Sequence, residues 1–142
     1  VPAEEYLVPL GQAEIKKEGS DVTLISYSLM LNKTLSVAEQ LAADGVNAEV
    51  IDLRTLSPLD HDTLARSVQK THKAVVIQEA VEVGGVASQV VKSLVDSSFE
   101  YLDAPIKTVA ACNTVIPFSP PLEDAMLPNE EKILAAAKEV LG

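Results

Sequence analysis

The chain has 142 residues, of which 47% are hydrophobic and 23% charged, and its formal net charge is −10. That length fits one domain with a hydrophobic core, and the composition is typical of a soluble globular protein. So acidic a surface repels phosphate backbones and anionic lipid headgroups, which argues against nucleic-acid and membrane binding. Cys112 is the only cysteine. An intramolecular disulfide is therefore excluded, and a reducing compartment is favoured.

The first 20 residues are predicted to be an extended segment that leads in from a preceding domain. Prolines and glycines interrupt this segment at Pro2, Pro9, Gly11 and Gly19. Within it, residues 12–15 alternate polar and apolar, as a short edge strand would. The absence of a methionine before Val1 is consistent with a fragment of a longer chain. We expect residues 21–142 to form the domain itself.

A strand, a helix and a second strand are predicted next. Residues 22–27 form an apolar run typical of a buried strand. Helical spacing then marks the inward positions of a helix, which we expect at Leu31, Leu35, Ala38 and Ala42. Gly45 is predicted to end that helix as a left-handed cap. Residues 48–53 form the second strand, which ends before Ser57-Pro58.

The second half repeats this alternation. Asp60 or Ser57 can cap a helix whose apolar stripe contains Leu64, Ala65 and Val68 and whose last turn holds Lys70, His72 and Lys73. Residues 74–78 are a third strand, and Gly84-Gly85 opens a helix with Val86, Val90, Val91, Leu94 and Val95 as its apolar positions. Residues 106–110 are a last strand, and 129–141 a last helix with Ile133, Ala137 and Val140 inward. Such alternation predicts a three-layer α/β/α domain with a mainly parallel sheet.

No catalytic or metal-binding set is visible in the sequence. The G-x-S-x-G elbow of hydrolases is absent, and His61 and His72 lie at opposite ends of one predicted helix. One cysteine and two such histidines do not match zinc spacing. Cys112 follows a strand, and we expect it to be a small buried apolar side chain. We therefore predict no catalytic, cofactor-binding or metal-ligating residue.

Glycine and acidic features leave alternatives open. Asp44-Gly45-Val46-Asn47 has the wrong spacing for the diphosphate and magnesium motif of thiamin enzymes. Gly84-Gly85 could present backbone N–H groups to an anion, but close helix–sheet or subunit packing is favoured because no wider glycine motif surrounds it. The acidic residues near the C-terminus form either a solvated face or a docking surface for a basic partner. The residues alone do not decide between these two.

Several segments carry a family resemblance. Residues 8–13 (VPLGQA), 50–60 (VIDLRTLSPLD) and 77–80 (IQEA) running into Gly84-Gly85 resemble the transketolase C-terminal domain. Residues 101–106 (YLDAPI) and 116–123 (IPFSPPLE) narrow the resemblance to the E1 β subunits of pyruvate and branched-chain 2-oxo acid dehydrogenases. It covers essentially the whole chain.

The resemblance implies a fold and a function. It implies a five-stranded mixed sheet with one antiparallel edge, either residues 12–15 or the last strand. The parent enzyme decarboxylates a 2-oxo acid and passes the acyl group to an E2 lipoyl group. Thiamin diphosphate and magnesium are held by the α subunit and the preceding β-subunit domain, so this domain alone is expected to be inactive. Its implied partners are the E1 α subunit, a second E1 β subunit and the E2 subunit-binding domain, in a bacterial cytoplasm or a mitochondrial matrix.

The resemblance also suggests interface residues. Arg54, Gly84 and Gly85 are expected at a domain or subunit boundary. E2 docking is assigned to acidic groups, namely Glu123, Asp124, Glu130, Glu131 and the terminal carboxylate of Gly142. Gln78 stands where many relatives have histidine, which argues against an acid–base role for this loop. Two alternatives remain: a free-standing nucleotide- or flavin-binding module that uses Gly84-Gly85, and the C-terminal domain of a deoxyxylulose-phosphate synthase or transketolase.

Overall fold

The computed structural model describes residues 4–142, so Pro2 lies outside the described residues. These described residues form five strands, five helices and one short 3₁₀ turn at Phe99–Tyr101. The strands are β1 (Glu14–Lys17), β2 (Val22–Ser26), β3 (Ala48–Asp52), β4 (Ala74–Val81) and β5 (Lys107–Ala111). The helices are α1 (Leu29–Ala43), α2 (His61–Thr71), α3 (Ala87–Ser98), α4 (Pro120–Met126) and α5 (Glu130–Leu141).

The sheet has the order β1-β3-β2-β4-β5. Its last four strands in that order run parallel, whereas β1 pairs antiparallel with β3. The predicted mixed sheet is thus confirmed, and β1 is the antiparallel edge. The strand begins two residues later than the alternation indicated. Residues before it are held by the loop after β3 instead, since the Ala13 N–H donates to Asp60 (2.9 Å) and the Gly11 N–H to Thr55 (2.9 Å).

Helices cover both faces of the sheet, which confirms the three-layer prediction. One core lies under α1 and α5 and contains side chains such as Leu24, Val50, Ile77 and Ile133. The other lies under α2 and α3 and contains Ile25, Ile51, Val76 and Leu64. The strands supply alternate side chains to the two cores because successive side chains point to opposite faces.

The inward faces of two helices differ from the predicted ones. The buried residues of α1 are Met30, Thr34, Val37, Ala38 and Leu41, whereas Ala42 is exposed. Leu31 and Leu35 pack only partly against the core. In α3 the buried residues are Ala87, Val90, Ser93, Leu94 and Ser98, and Val95 is 43% exposed. Small polar side chains fill some of the inward positions in both helices. A prediction based on hydrophobicity alone therefore placed the buried face too far toward the solvent-exposed side.

Helix α2 begins as expected but ends at Thr71, so that of the three predicted last-turn residues only Lys70 lies within the helix. Asp60 is its N-cap, and its carboxylate accepts the Thr63 N–H at 3.0 Å. His72 follows the helix in the left-handed conformation with φ 61°. Gly45 has φ 82° after α1, as predicted for a left-handed cap.

The seven-residue helix α4 was not predicted. It begins with Pro120 and Pro121 and buries Met126. Contacts from outside the helix hold its end: the Met126 carbonyl accepts the Cys112 N–H, and Lys132 Nζ donates to the carbonyls of Ala125 and Leu127 (both 3.0 Å). So short a helix depends on these contacts rather than on its own propensity.

The prediction that Cys112 is buried was wrong. Val109 and Ala111 are the inward residues of β5, and Cys112 comes just after the strand with its side chain exposed. Its backbone N–H is bound to α4 while its thiol faces solvent. Among the helices of residues 4–142, none combines the length and apolar character needed to cross a membrane.

Candidate functional site

The carboxyl edge of the sheet is the natural place to look for a site. Parallel strands β2 to β5 all end there, and ligands of open α/β sheets bind outside this edge. Val81 of β4 pairs with Ala111 of β5, so the loops that follow these two strands leave the sheet side by side. Both the Gly84-Gly85 loop and the loop that contains Cys112 therefore lie at this edge.

Gly85 packs against a buried side chain of its own domain. A Cβ at this position would lie 2.0 Å from Nε2 of Gln78, whose side chain is fully buried within β4. Gly84, in contrast, has φ +79° and nothing within 4 Å of an added Cβ. Of the two uses considered for this glycine pair, the structure supports close helix–sheet packing at Gly85.

The Gln78 side chain also forms hydrogen bonds with the backbone on both sides of the glycine pair. Its Oε1 accepts the Ala87 N–H (2.8 Å), and its Nε2 donates to the Val81 carbonyl (2.9 Å). The N–H groups of Ser88 and Gln89 bond to carbonyls of the preceding turn. The N–H groups of Ala87, Ser88 and Gln89 are therefore engaged within the domain, which argues against an anion site on the first turn of α3.

This hydrogen-bonding role of Gln78 was not predicted from the sequence. Its signal is an amide side chain that ends a β-branched run and precedes two glycines. A buried polar group needs hydrogen-bond partners, and a tight glycine turn supplies them.

Both histidines make interelement contacts. His61 Nδ1 lies 2.6 Å from Ser93 Oγ and links α2 to α3. His72 Nδ1 lies 2.8 Å from the carbonyl of Tyr101 in the 3₁₀ turn. The part of the chain that the structure describes contains no group of three or more His, Cys, Asp or Glu side chains placed to hold a metal ion. Its donor set does not fit the magnesium diphosphate that the family resemblance implies.

Arg54 lies just after β3 with φ 54°. Its Nη2 is 2.5 Å from Oε2 of Glu14, and Lys16 Nζ lies at 2.5 Å from the same oxygen. The hydrogen bond from Lys16, with the nearby Arg54 charge, holds the pKa of Glu14 below its usual value. Arg54 thus pairs inside the domain, and its expected contact across a subunit boundary stays a prediction.

The acidic residues predicted for docking fall into two places. Glu123 and Asp124 lie exposed on α4, and Glu130 and Glu131 lie in the first turn of α5. The bonds from Lys132 to the end of α4 keep these two helix segments together. Gly142, at the other end of the 12-residue α5, is about 18 Å from its start. The structure therefore does not join the terminal carboxylate to the acidic cluster.

An ion pair with one fully buried partner was also not predicted from the sequence. The Glu49 side chain in β3 is fully buried and pairs with Lys70 at the end of α2. Ser67 Oγ donates to the same carboxylate, and Ser67 and Thr71 flank Thr23 of β2 within hydrogen-bond distance. This polar network joins α2 to the sheet. Its only sequence signal is a glutamate placed between the apolar residues Ala48 and Val50.

The family model described as transketolase, C-terminal domain, matches residues 11–133. The chain belongs to this family. It is 47% identical over 141 residues to the pyruvate dehydrogenase E1 component subunit beta of Bacillus subtilis, and 49% identical over 141 residues to that of Staphylococcus epidermidis. It is 44% identical over 142 residues to the acetoin:2,6-dichlorophenolindophenol oxidoreductase subunit beta of Bacillus subtilis.

Each alignment covers at least 99% of this chain but only 42–43% of the relative. The chain thus spans less than half the length of the curated relatives it matches. A solved structure entitled split gene transketolase, inactive beta4 tetramer, superposes with a TM-score of 0.84 at 27% identity, over 96% of this chain and 43% of that one. A 2-oxoglutarate:ferredoxin oxidoreductase shares the fold (TM-score 0.62, 13% identity, 92% of this chain and 19% of that one). The predicted family and the likeness to E1 β subunits are confirmed.

Proposed function

We propose that this chain is the C-terminal assembly and docking domain of the E1 β subunit of a thiamin-diphosphate-dependent 2-oxo acid dehydrogenase. The observation that carries this proposal is the 47–49% identity to pyruvate dehydrogenase E1 β subunits over 99% of the chain. The parent reaction is oxidative decarboxylation of a 2-oxo acid with transfer of the acyl group to an E2 lipoyl group. The complex would lie in a bacterial cytoplasm or a mitochondrial matrix.

The domain contributes to this enzyme through contacts rather than chemistry. Thiamin diphosphate and magnesium would be held by the α subunit and the preceding part of the β subunit. One feature supports this division: Gln78 and preceding carbonyls bind the N–H groups of Ala87, Ser88 and Gln89 at the start of α3. We expect the domain alone to have no activity.

Assembly would involve the E1 α subunit and a second E1 β subunit. Arg54 is a candidate for a contact with another domain or subunit, because its side chain is still 25% exposed despite the pair with Glu14. Gly84 is another candidate, since it protrudes from the carboxyl edge with free space around it. Gly85, packed on Gln78, would shape that loop from within.

Docking on the E2 acyltransferase subunit-binding domain would use acidic groups. Glu123, Asp124 and Glu131 are exposed, and Glu130 is half-buried beside Gln40, whose Nε2 donates to it at 3.0 Å. A basic partner would be steered to this region by opposite charge, and binding would weaken with salt. The carboxylate of Gly142, about 18 Å away along α5, requires either a second contact or a partner that spans the helix.

A calorimetric titration of the chain with an E2 subunit-binding domain at two salt concentrations tests this docking. Two double charge reversals target the surface, and a third on another part of the molecule is the matched control: Glu123→Lys with Asp124→Lys, Glu130→Lys with Glu131→Lys, and Asp62→Lys with Glu100→Lys. We expect salt-sensitive, stoichiometric binding that each of the first two weakens at least tenfold. Unchanged affinity in both would exclude this surface. No binding by the wild-type chain at low salt would leave assembly as the only role.

A further inference from the structure

Five large apolar side chains are exposed together at the carboxyl edge. Phe118 and Val115 are essentially uncovered, at 105% and 88% exposure, and Val83, Ile116 and Leu122 are 60–69% exposed. We call these five residues the carboxyl-edge patch. A contiguous apolar surface of this kind on a globular domain marks an interaction site.

Tertiary contacts bring the patch together from three elements. The Val81–Ala111 pairing sets the loop with Val83 next to the loop with Val115, Ile116 and Phe118. The hydrogen bond from Cys112 to Met126 (3.2 Å) holds α4, and so Leu122, beside the same loop. Prolines at three positions, Pro117, Pro120 and Pro121, restrict the backbone of this segment. A restricted loop loses less conformational entropy when a partner covers it.

The charges around the patch identify the kind of partner. Glu79, Glu82, Glu123 and Asp124 flank it, and residues 79–86 and 112–124 contain no lysine or arginine. Lys107 and Lys132 line the adjacent depression with Glu82, but Lys107 pairs with Glu139 and Lys132 binds the carbonyls at the end of α4. Two copies meeting through this patch would bring like charges together, which is unfavourable.

We propose that the carboxyl-edge patch docks a different subunit whose surface has an apolar pocket ringed by lysine and arginine. This inference rests on the proposed function, in which that subunit is the E1 α subunit rather than a second β subunit. Phe118 enters the pocket, and the carboxylate of Glu82 meets the basic ring. E2 docking, in contrast, is assigned to the acidic groups of α4 and α5.

The test uses the full-length β subunit that carries this chain, co-expressed with its α subunit, with the assembled fraction measured by analytical ultracentrifugation at two salt concentrations. Phe118→Ser and Glu82→Lys change the patch. Phe99→Ser is the matched control, because Phe99 is 69% exposed at the opposite edge of the sheet. These side chains are exposed, so circular dichroism should show a native fold in each variant.

We expect Phe118→Ser to weaken assembly at least tenfold and the charge reversal to weaken it most at low salt, with Phe99→Ser unchanged. If both patch variants assembled like the wild type, or if Phe99→Ser lost as much assembly as they do, the patch would not be the docking surface. The proposed function would then stand unchanged. A β oligomer that Phe118→Ser dissociates, with α binding unaffected, would identify a second copy as the occupant and also overturn the proposal. A wild-type β subunit that fails to assemble with α would refute the proposed function itself.

Discussion

Gln78 and Gly85 fit each other so closely that neither position is free to change alone. A Cβ on residue 85 would lie 2.0 Å from Nε2 of Gln78 and 2.7 Å from its Oε1, closer than any normal contact. The same amide bonds the Ala87 N–H and the Val81 carbonyl. The conformation of the β4–α3 loop therefore depends on a buried amide and a missing side chain together.

Gly85→Ala should destabilise the domain by about 1–3 kcal/mol, because the added methyl group overpacks the site and displaces the amide from its bonds. The double variant Gln78→Ala with Gly85→Ala should cost less than the sum of the two single changes, since the clash is then absent. Urea unfolding of the four proteins measures this coupling.

Gly84→Ala is the control for this cycle. It should cost about 1–2 kcal/mol through its left-handed backbone, with no dependence on residue 78. If the losses in unfolding free energy at Gly85 and Gln78 were additive, the proposed coupling between the two residues would be refuted.

Lys70→Met should lower the free energy of unfolding by about 2–3 kcal/mol. It leaves the fully buried carboxylate of Glu49 without its cation. The loss should fall below the ~3–5 kcal/mol of a fully buried pair, because the Lys70 side chain is 42% exposed. Thermal and urea unfolding at pH 7 measure it. Lys92→Met removes the exposed pair with Asp96 and should cost about 0.5 kcal/mol or less; an equal cost in both variants would contradict the role of burial.

Stability should fall at low pH in part through Asp60. Burial raises the pKa of this carboxyl, but the N–H and hydroxyl of Thr63 and the N–H of Ala13 outweigh it and hold the pKa below its usual value. A pKa lowered by folding gives stability that is complete above the unfolded value of about 3.9 and is lost as the pH falls through the folded value. Asp60→Asn keeps a good cap but cannot titrate.

Urea unfolding between pH 7 and pH 2 compares the two proteins. Asp60→Asn should lose less stability on acidification than the wild type, so that their difference shrinks below about pH 4. Asp62→Asn, in the first turn of the same helix, is the matched control and should follow the wild type. Parallel acid curves for Asp60→Asn and the wild type would rule out this contribution.

Arg54→Ala should change the unfolding free energy by less than about 1 kcal/mol, because its partner Glu14 is partly solvated and retains Lys16. If Arg54 also pairs across a subunit boundary, the same variant should weaken assembly of the E1 heterotetramer in ultracentrifugation. Normal assembly would show that Arg54 contributes only its contact with the edge strand β1 within the domain. Lys16→Ala, which removes the other cation beside Glu14, controls for loss of the local pair.

The order and type of most elements could be read from the sequence because apolar periodicity reports local burial. Runs such as residues 74–78 and stripes such as Ile133, Ala137 and Val140 reflect the requirement to bury one face, and the structure confirms them. The caps at Asp60 and Gly45 were predictable for the same reason, since each satisfies backbone groups through local chemistry. The family resemblance supplied the antiparallel edge.

Tertiary structure alone decided what depends on which side chains and backbone groups the fold brings into contact. Helix α4 forms because Cys112 and Lys132 bind its end. The Cys112 side chain faces solvent because no element of the described structure covers it. Gly85 is required by a side chain seven residues earlier, and Glu49 is tolerated in a buried strand because α2 carries Lys70 to it. Sequence patterns report the preferences of single elements, whereas close packing and the pairing of buried charges depend on which elements meet.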